Sequence, residues 1–292
     1  MPNAITLAKN YTDIIDEVYA IEAKSSVLNS DASLMRAGSN AKEVMIPKVS
    51  VTGLGNYDRA KGYKTGSVTF EWETKKFEYD RGTKIVVDAM DAQEVGASDA
   101  FVAANAELER TQVAPEGDAY TFAKIAGTPG ISKVSQGVTY ATGAEVLKAI
   151  DEAQAAMDEA SVPAETRYLF ITPTLARKAR AVPEANTEIS KDVLDGFAGV
   201  VEVPQSRFYT AVKLNDGESE FGFAKDGEGK DINFLIVEKS AVIKFDKHVA
   251  GPKVFGPDEL EDLDAFMTKY RKYGIVDVFD NKKAGVFLSH KA

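Results

Sequence analysis

The amino-acid sequence predicts an α+β protein built from an extended β-hairpin, a long helix and a compact lobe of mixed helices and strands. Residues 44–51 and 67–82 alternate apolar and polar side chains, which is typical of half-buried strands. Residues 94–126 carry apolar side chains at helical spacing, the longest such signal in the chain. Residues 140–247 switch between helical and strand patterns, which predicts a lobe with its own core.

The composition excludes several kinds of site. The chain has 292 residues, enough for one large domain or two smaller ones with substantial cores. It has no cysteine, which excludes disulfides, thiolate nucleophiles and cysteine metal sites. Its formal net charge of −10 argues against a surface that neutralises many phosphates of a nucleic acid. The only histidines are His248 and His290, and we expect both to be ordinary surface or strand-end residues.

The N-terminal residues predict an amphipathic arm. Ile14, Ile15, Val18 and Ile21 follow helical spacing, with Asp13 near the start of the predicted helix. This segment is too short to form a domain, so it needs a surface to lie on, and an extended linker follows it. The sequence shows neither a secretory signal nor an apolar run long enough to span a membrane, so we expect synthesis in the cytoplasm.

The hairpin is predicted from two alternating segments and the polar tip between them. VMIPKVSV (44–51) forms one limb, SVTFEWETKKFEYDRG (67–82) the other, and the glycine- and charge-rich residues 53–66 form the tip. In the second limb Val68, Phe70 and Trp72 share one face. Because an isolated two-stranded hairpin is marginally stable in water, this arm is expected to rest on the body of its own chain or on a neighbouring subunit.

Helical and strand signals then alternate along the chain. The long helix over 94–127 is expected to be interrupted or kinked near Pro115. Thr142 and Glu145 form the pattern of a capping box at the start of a helix over 143–160. A short apolar strand of the buried kind follows at 167–173, and then a polar helix near 174–181.

The remaining segments predict further strands, two of them within residues 191–212 and 232–248. Residues 215–231 between them read as a glycine-rich acidic surface loop. In the tail, residues 266–280 and 284–288 are predicted to pair around a turn at 281–283. The strands and helices of 140–247 would form the compact lobe.

Three phrases suggest chemistry, and each has a simpler interpretation. GLGNYDRAKG (53–62) has the glycines of a phosphate-binding loop, but it lies between strands and opens no helix. DGEGKD (226–231) resembles part of a calcium loop, yet it lacks the twelve-residue register and the terminal glutamate, which favours a solvated turn. GPDELEDLD (256–264) is a dense acidic cluster that could serve a two-metal hydrolase, although solvated charge is the usual role of such a run.

No established catalytic motif occurs elsewhere in the chain. We therefore predict no catalytic, cofactor-binding or metal-binding residues and no cofactor. The alternative from another functional class is a metal-dependent hydrolase that uses the acidic cluster at 258–262, with Asp258, Glu259, Glu261 and Asp262 as ligands. A divalent metal should raise the thermal stability of the chain in that case, and we expect no such response.

Six segments are spread in a consistent order over nearly the whole chain. They are IPKVSVTGLGNYDRAKGYKTGSVTFEWETKKFEYDRG (46–82), VDAMDAQE (87–94), VAPEGDAYTFAKIAG (113–127), VPQSRFYTAV (203–212), INFLIVEKSAV (232–242) and DLDAFMTKYRKYGIVDVFDNKKAGVFL (262–288). Together they resemble the major capsid proteins of tailed bacteriophages, which have the Hong Kong 97 fold. The match covers more of the chain than any single motif would.

The resemblance implies a division of the chain into four parts. Residues 1–40 would be an N-terminal arm, and residues 41–83 an extended loop that overlaps an adjacent subunit. A peripheral domain would comprise 84–127, with the long helix as its spine, together with 248–292. An axial domain, 128–247, would face the centre of each pentamer or hexamer.

The resemblance also implies function and partners. The chain would self-assemble through pentamers and hexamers into an icosahedral shell around double-stranded DNA, without sequence-specific binding, in a virion formed in the host bacterial cytoplasm. A separate scaffolding protein, a portal and decoration proteins are implied as partners, and no membrane. The alternative function within the same fold is the shell of an encapsulin-like compartment that holds cargo proteins. A third hypothesis is a phage tail-tube subunit.

The candidate inter-subunit contacts are Arg59, Lys61, Lys64, Trp72 and Arg81. The three basic residues at the tip could form salt bridges across subunits, each worth ~0–1 kcal/mol when exposed. Some capsids of this fold cross-link lysine to asparagine covalently. Lys61 or Lys64 and Asn281 have the right chemistry for this, but no local motif matches, so we do not expect a cross-link.

Overall fold

The computed structural model describes most of the chain, in seven stretches: 23–30, 36–37, 43–90, 106–133, 137–183, 191–260 and 264–292. The predicted helix of the arm and the first part of the predicted spine helix, 94–105, lie outside the described residues. Within these stretches the strands form two three-stranded sheets, one five-stranded sheet and one two-stranded sheet.

The first sheet contains the predicted hairpin. Strand β1 (Arg36–Ala37) pairs with β2 (Glu43–Val51), which pairs antiparallel with β3 (Val68–Lys76). The prediction of one continuous limb over 67–82 is wrong, because β3 ends at Lys76 and a separate strand, β4 (Tyr79–Asp88), begins after it. The reason is Phe77, whose buried side chain turns inward at the break.

The strands β4, β11 (Val242–Phe255) and β12 (Ala265–Val278) form the second sheet, with β12 in the middle. Both of its pairings are antiparallel. The β11 and β12 strands have 14 residues each and are joined through the acidic residues 256–264. The strand that follows the hairpin in the chain, β4, is therefore an edge strand of the second sheet.

The long helix passes through the predicted irregularity without ending. Helical backbone starts by residue 106, forms a π turn at Glu109–Val113 and continues as α1 (Ala114–Gly127). In the π turn the Ala114 N–H donates to the Glu109 carbonyl, five residues earlier. Pro115 follows at once and has no N–H for the regular pattern, so the disturbance expected near Pro115 takes the form of a single wide turn.

The lobe is a five-stranded sheet covered on both faces. Its order is β5 (Ser132–Lys133), β13 (Val286–His290), β10 (Ile232–Glu238), β6 (Arg167–Ile171) and β7 (Gly199–Glu202). All seven residues of β10 are buried. Phe234 and Ile236 point to one core cluster, whereas Leu235 and Val237 point to the other, as the two-residue period of a strand requires.

Helices supply the two covers of this sheet. The helix α2 (Gly143–Glu159) begins with the predicted capping box between Thr142 and Glu145, and with α3 (Pro173–Arg180) it packs on the Phe234 side. The helix α1 packs on the opposite side through Phe122 and Ile125. The predicted helices at 143–160 and 174–181 and the buried strand at 167–173 are thus confirmed within one or two residues.

The tail departs from its prediction. The predicted pairing of residues 266–280 with 284–288 is wrong, because β13 pairs with β10 and β5, whereas β12 pairs with β11 and β4. A 3-10 turn at Asp280–Gly285 carries the chain from one sheet to the other. The last strand therefore belongs to the sheet of the lobe, and a short pair, β8 (Val212–Leu214) and β9 (Phe223–Lys225), borders the lobe.

Candidate functional site

The acidic phrases form turns in the part of the chain that the structure describes. Asp258 and Glu259 are exposed in a 3-10 turn, and the Glu259 side chain accepts a hydrogen bond from the Gly256 N–H. Glu261 and Asp262 lie outside the described residues. Among the described residues no group of three His, Cys, Asp or Glu side chains is placed to hold a metal ion. Asp231 of the second phrase forms ion pairs with Lys225 and Lys291.

The base of the hairpin is anchored on the second sheet. Val44 and Ile46 of β2 are buried together with Ile243 of β11 and Ile275 of β12. Phe77 joins the same cluster, and its ring packs edge-on against Tyr273 with centroids 5.8 Å apart. The two-stranded arm thus has a fixed base, which removes the instability expected of an isolated hairpin.

An ion pair adds a second fixing point at this base. The Lys75 ammonium lies 2.9 Å from Glu73 of its own strand and 2.9 Å from Asp277 of β12. Burial alone would lower the pKa of Lys75, but the hydrogen bonds to Asp277 and Glu73 outweigh it and raise the pKa above its ordinary value. The amine therefore stays charged and holds β3 to the second sheet at neutral pH.

Beyond the base, one face of the hairpin is apolar and uncovered. Val49 lies opposite Phe70, and Val51 lies opposite Val68 in the antiparallel register, so these four side chains share a face. Their exposed fractions are 50, 55, 66 and 68%, respectively. We call these four residues the apolar face. Exposed contiguous apolar patches of this kind are typical of surfaces that contact another molecule.

The tip of the hairpin combines apolar and basic side chains. Leu54, Tyr57 and Tyr63 are exposed, and the two tyrosine rings pack with their centroids 4.9 Å apart. Asp58 and Gly62 exchange backbone hydrogen bonds, and Gly62 has a φ of +77°, which favours glycine. GLGNYDRAKG is therefore a hairpin tip that opens no helix, as the sequence context predicted.

The five predicted contact residues fall into two groups. Arg59, Lys61 and Lys64 are exposed at the tip, and Trp72 is partly exposed beside Phe70 with ring centroids 5.5 Å apart. Arg81 is partly exposed and has partners within its own chain. Its guanidinium lies 2.8 Å from Glu116 of α1 and donates to the backbone carbonyls of the loop at 215–222.

A groove of about 1000 Å³ lies between β2 and the body of the chain. Its apolar lining includes Ile46 and Val49 of β2 and Val242, Ile243 and Phe279 of the body, and Val49 is the member of the apolar face that reaches it. Sequence reasoning identified Val68, Phe70 and Trp72 as one face but missed Val49, Val51 and this groove. The alternation of the first limb was the available signal, since cross-strand register places its valines on the same face.

Membrane insertion by a helix has no support in the described part of the chain, since none of its helices combines the length and the hydrophobicity that a crossing requires.

Comparison with solved structures identifies the architecture. The capsid structure of the cyanophage P-SCSP1u matches with a TM-score of 0.57 at 17% identity, covering 88% of this chain and 85% of that one. Mycobacterium phage Che8 matches with a TM-score of 0.56 at 13% identity, covering 86% and 85%. A virus-like particle from Pyrococcus furiosus matches with a TM-score of 0.57 at 12% identity, covering 99% and 100%.

The chain has the Hong Kong 97 capsid fold. The α+β class and the architecture that the sequence resemblance implied are confirmed by these matches. Neither a comparison with protein-family models nor one with curated proteins gives a match. In the Hong Kong 97 fold of this chain, the described residues of the body leave the apolar face of the hairpin exposed.

Proposed function

We propose that the chain is the structural subunit of a closed icosahedral shell, formed through pentamers and hexamers. The observation that carries the proposal is a fold shared with phage capsids over most of the chain, together with a hairpin that is fixed at its base and apolar along its outer length. The apolar face would lie on an adjacent copy. Arg59, Lys61 and Lys64 at the tip would form exposed salt bridges to that copy, and Trp72 would border the contact.

The free energy of one contact between the apolar face and an adjacent copy is small, so a stable shell would need many such contacts. Fully burying one valine or phenylalanine side chain is worth about 1.5–3 kcal/mol, and the members of the apolar face are already covered by about one third (Val51, Val68) to one half (Val49, Phe70). Burying the four remaining surfaces therefore contributes on the order of 4 kcal/mol per contact. Association of two proteins loses at least that much translational and rotational freedom, so an isolated pair would be weak and closure of a shell would stabilise it.

We further propose that the shell encloses the double-stranded DNA genome of a tailed phage in a virion assembled in the host cytoplasm. The net charge of −10 suits a container whose inner surface must not adhere to DNA. A scaffolding protein, a portal and decoration proteins would be its partners, and no enzymatic role is proposed. The division into arm, extended loop, peripheral domain and axial domain at 1–40, 41–83, 84–127 with 248–292, and 128–247 belongs to this proposal.

The second candidate within the fold is a protein compartment without a genome. The match to the Pyrococcus furiosus virus-like particle, which covers essentially both chains, favours it as the alternative. The experiment that distinguishes the capsid from the compartment is size-exclusion chromatography of particles produced with the neighbouring genes. The ratio of absorbance at 260 and 280 nm in the particle peak then measures their nucleic-acid content. Particles rich in nuclease-protected DNA support the capsid, and particles rich in protein cargo support the compartment. A monomer under every condition would contradict both.

A further inference from the structure

Residues 23–30 dock on the body of the chain through a buried polar cluster. We call these residues the anchor segment. Asp118 of α1, which is fully buried, accepts hydrogen bonds from the backbone N–H groups of Lys24 and Ser25 at 2.9 and 2.8 Å. The Ser25 hydroxyl donates to the same carboxylate at 2.7 Å. Arg207 lies 3.0 Å from the other carboxylate oxygen and neutralises it.

Lys244 completes the cluster from the opposite side. Its ammonium group donates to the Ser25 carbonyl at 3.1 Å and to the Ser25 hydroxyl at 2.8 Å. The backbone of Lys244 pairs with Ser30, so the segment is tied to β11 at both of its ends. Leu28 is fully buried between these two points. Among the described residues, the hydrogen bonds between the segment and β11 involve Lys244 or Val242.

The charges that face Lys244 come from three elements. Lys272 of β12 repels it, whereas Asp246 of its own strand and Asp118 of α1 attract it. Asp246 is shared, since it also lies 3.0 Å from the Lys272 ammonium. Asp246 is thus the shared counter-charge of two buried lysines, Lys244 and Lys272. The charge of Asp118 is likewise shared, because Asp118 also pairs with Arg207.

Tyrosines close the remaining side of the cluster. Tyr79 of β4 and Tyr120 of α1 line a small cavity of about 10 Å³ beside Lys244, Asp246 and Lys272. Tyr79 donates its hydroxyl to Glu116, and burial raises the pKa of Tyr120 above its ordinary value, so neither tyrosine supplies an anion to the lysines at neutral pH. The cavity is about the size of one water molecule. Lys244 is therefore held with little solvent and less than a full counter-charge.

We propose that the anchor segment is a pH-dependent latch, which holds the chain to α1 and β11 more tightly when Lys244 is neutral than when it is protonated. In the docked state Ser25 covers the Lys244 amine and accepts two hydrogen bonds from it. A neutral amine still has two N–H groups, which is enough for both bonds. When the segment leaves, the amine gains water and the protonated form is stabilised again. Undocking is therefore coupled to proton uptake.

The direction of the coupling follows from burial. Desolvation, reinforced by Lys272, lowers the pKa of Lys244 from 10.5 to about 8 in the docked state. With the segment undocked, an amine in water returns toward its ordinary pKa of about 10.4. Docking thus strengthens as pH rises from 8 toward 10, and at neutral pH the docked latch holds an unfavourable buried charge. At neutral pH the docking free energy of the anchor segment is consequently near its smallest value, which favours transfer of the segment to another surface.

Trypsin cleavage after Lys24 measures the release, because the bond that follows Lys24 leads into the buried Ser25 and is accessible only when the segment undocks. Soluble unassembled chain would be digested at pH 7.5, 8.5 and 9.5, with fragments quantified by mass spectrometry. Cleavage after Lys61 in the exposed tip normalises the activity of trypsin. Cleavage after Arg167, which is buried in the lobe, reports opening of the whole fold.

The latch predicts that the Lys24 to Lys61 cleavage ratio falls about tenfold from pH 7.5 to 9.5 in the unmodified chain, while cleavage after Arg167 stays low. In Lys244→Met, an uncharged side chain of similar length, the ratio should not depend on pH. In Ser25→Ala it should be higher at every pH and keep its slope. A flat ratio in the unmodified chain, or a change that Arg167 cleavage follows in parallel, would overturn the proposal even if neither variant folds.

Discussion

Val49 and Phe70 face each other across the two strands of the hairpin, and each leaves about half of its side chain in solvent. The cores that fix the two strands begin only a few residues away, at Ile46 and Phe77. The hairpin therefore has a base that is buried in the core of the chain and an outer length whose apolar side chains contribute much less to the stability of the isolated chain. This separation makes the folding and assembly roles distinguishable by substitution.

The apolar face can be tested by a pair of substitutions one residue apart. Phe70→Asp places a charge on the apolar face, whereas Thr69→Asp places the same charge on the opposite face of the same exposed strand. We expect Phe70→Asp to abolish particles and Thr69→Asp to leave them, because only the first buries a charge in the proposed contact. Sedimentation velocity measures the particle fraction. Equal loss of particles in both variants would refute a role specific to the apolar face.

The base of the hairpin should behave in the opposite way. Ile243→Ala removes a buried side chain from the cluster beneath β2 and should lower the free energy of unfolding by about 2–5 kcal/mol. Phe70→Ala is the matched control, since its exposed ring should change that free energy by less than about 0.5 kcal/mol. Urea denaturation of the unassembled chain measures both. A large loss of stability in Phe70→Ala would show that the apolar face is already covered within the chain.

Arg81 should stabilise the monomer because it pairs with the mostly buried Glu116 and holds two loop carbonyls. Hydrogen bonding to Glu116 raises the pKa of Arg81 above its ordinary value. Arg81→Met leaves the Glu116 carboxylate without this cation, so we expect a loss of about 1–3 kcal/mol in the free energy of unfolding. The control is Arg110→Met, which removes an exposed pair with Glu107 and should cost about 0–1 kcal/mol. Equal losses would argue against a structural role.

Acid should weaken the contact between the loop at 226–231 and the last residues of the chain. The hydrogen bond from Lys225, with a second from Lys291, lowers the pKa of Asp231 below its ordinary value. The stability that Asp231 contributes is thus fully present above its unfolded pKa of about 3.9, and it is lost as pH falls through the lower folded value. The difference in Tm between the unmodified chain and Asp231→Asn should be positive at pH 7 and shrink toward zero below pH 3. A difference independent of pH would contradict this assignment.

Local patterns in the sequence predicted many of the helices and strands correctly. They did not predict which strands pair when the strands lie far apart in the chain. The capping box at Thr142 and Glu145 and the apolar run at 167–173 depend on neighbouring residues, and both are confirmed. The division of the second limb at Phe77 depends on a core contributed by β11 and β12, which lie far away in the chain. For the same reason the partner of β13 was predicted wrongly, since nothing near residues 286–290 specifies pairing with β10.

The candidate site divides in the same manner. The hairpin and its exposed basic tip follow from alternation and glycine content. The sequence offered Arg81 as a candidate inter-subunit contact, and nothing in it specified the ion pair with Glu116. Lys244 gave no distinctive signal, because its strand also contains Lys247 and Lys253. Its burial by Ser25, over 200 residues earlier in the chain, is a tertiary fact that no local pattern encodes.

Cryo-electron microscopy of particles assembled from the unmodified chain tests the shell proposal most directly. The expected result is a closed icosahedral shell in which the side chains of Val49, Val51, Val68 and Phe70 pack against an adjacent copy and lose most of their solvent exposure. A closed shell that leaves this face in solvent would contradict the proposed contact, and the absence of any shell, alone or with neighbouring gene products, would contradict the proposed function.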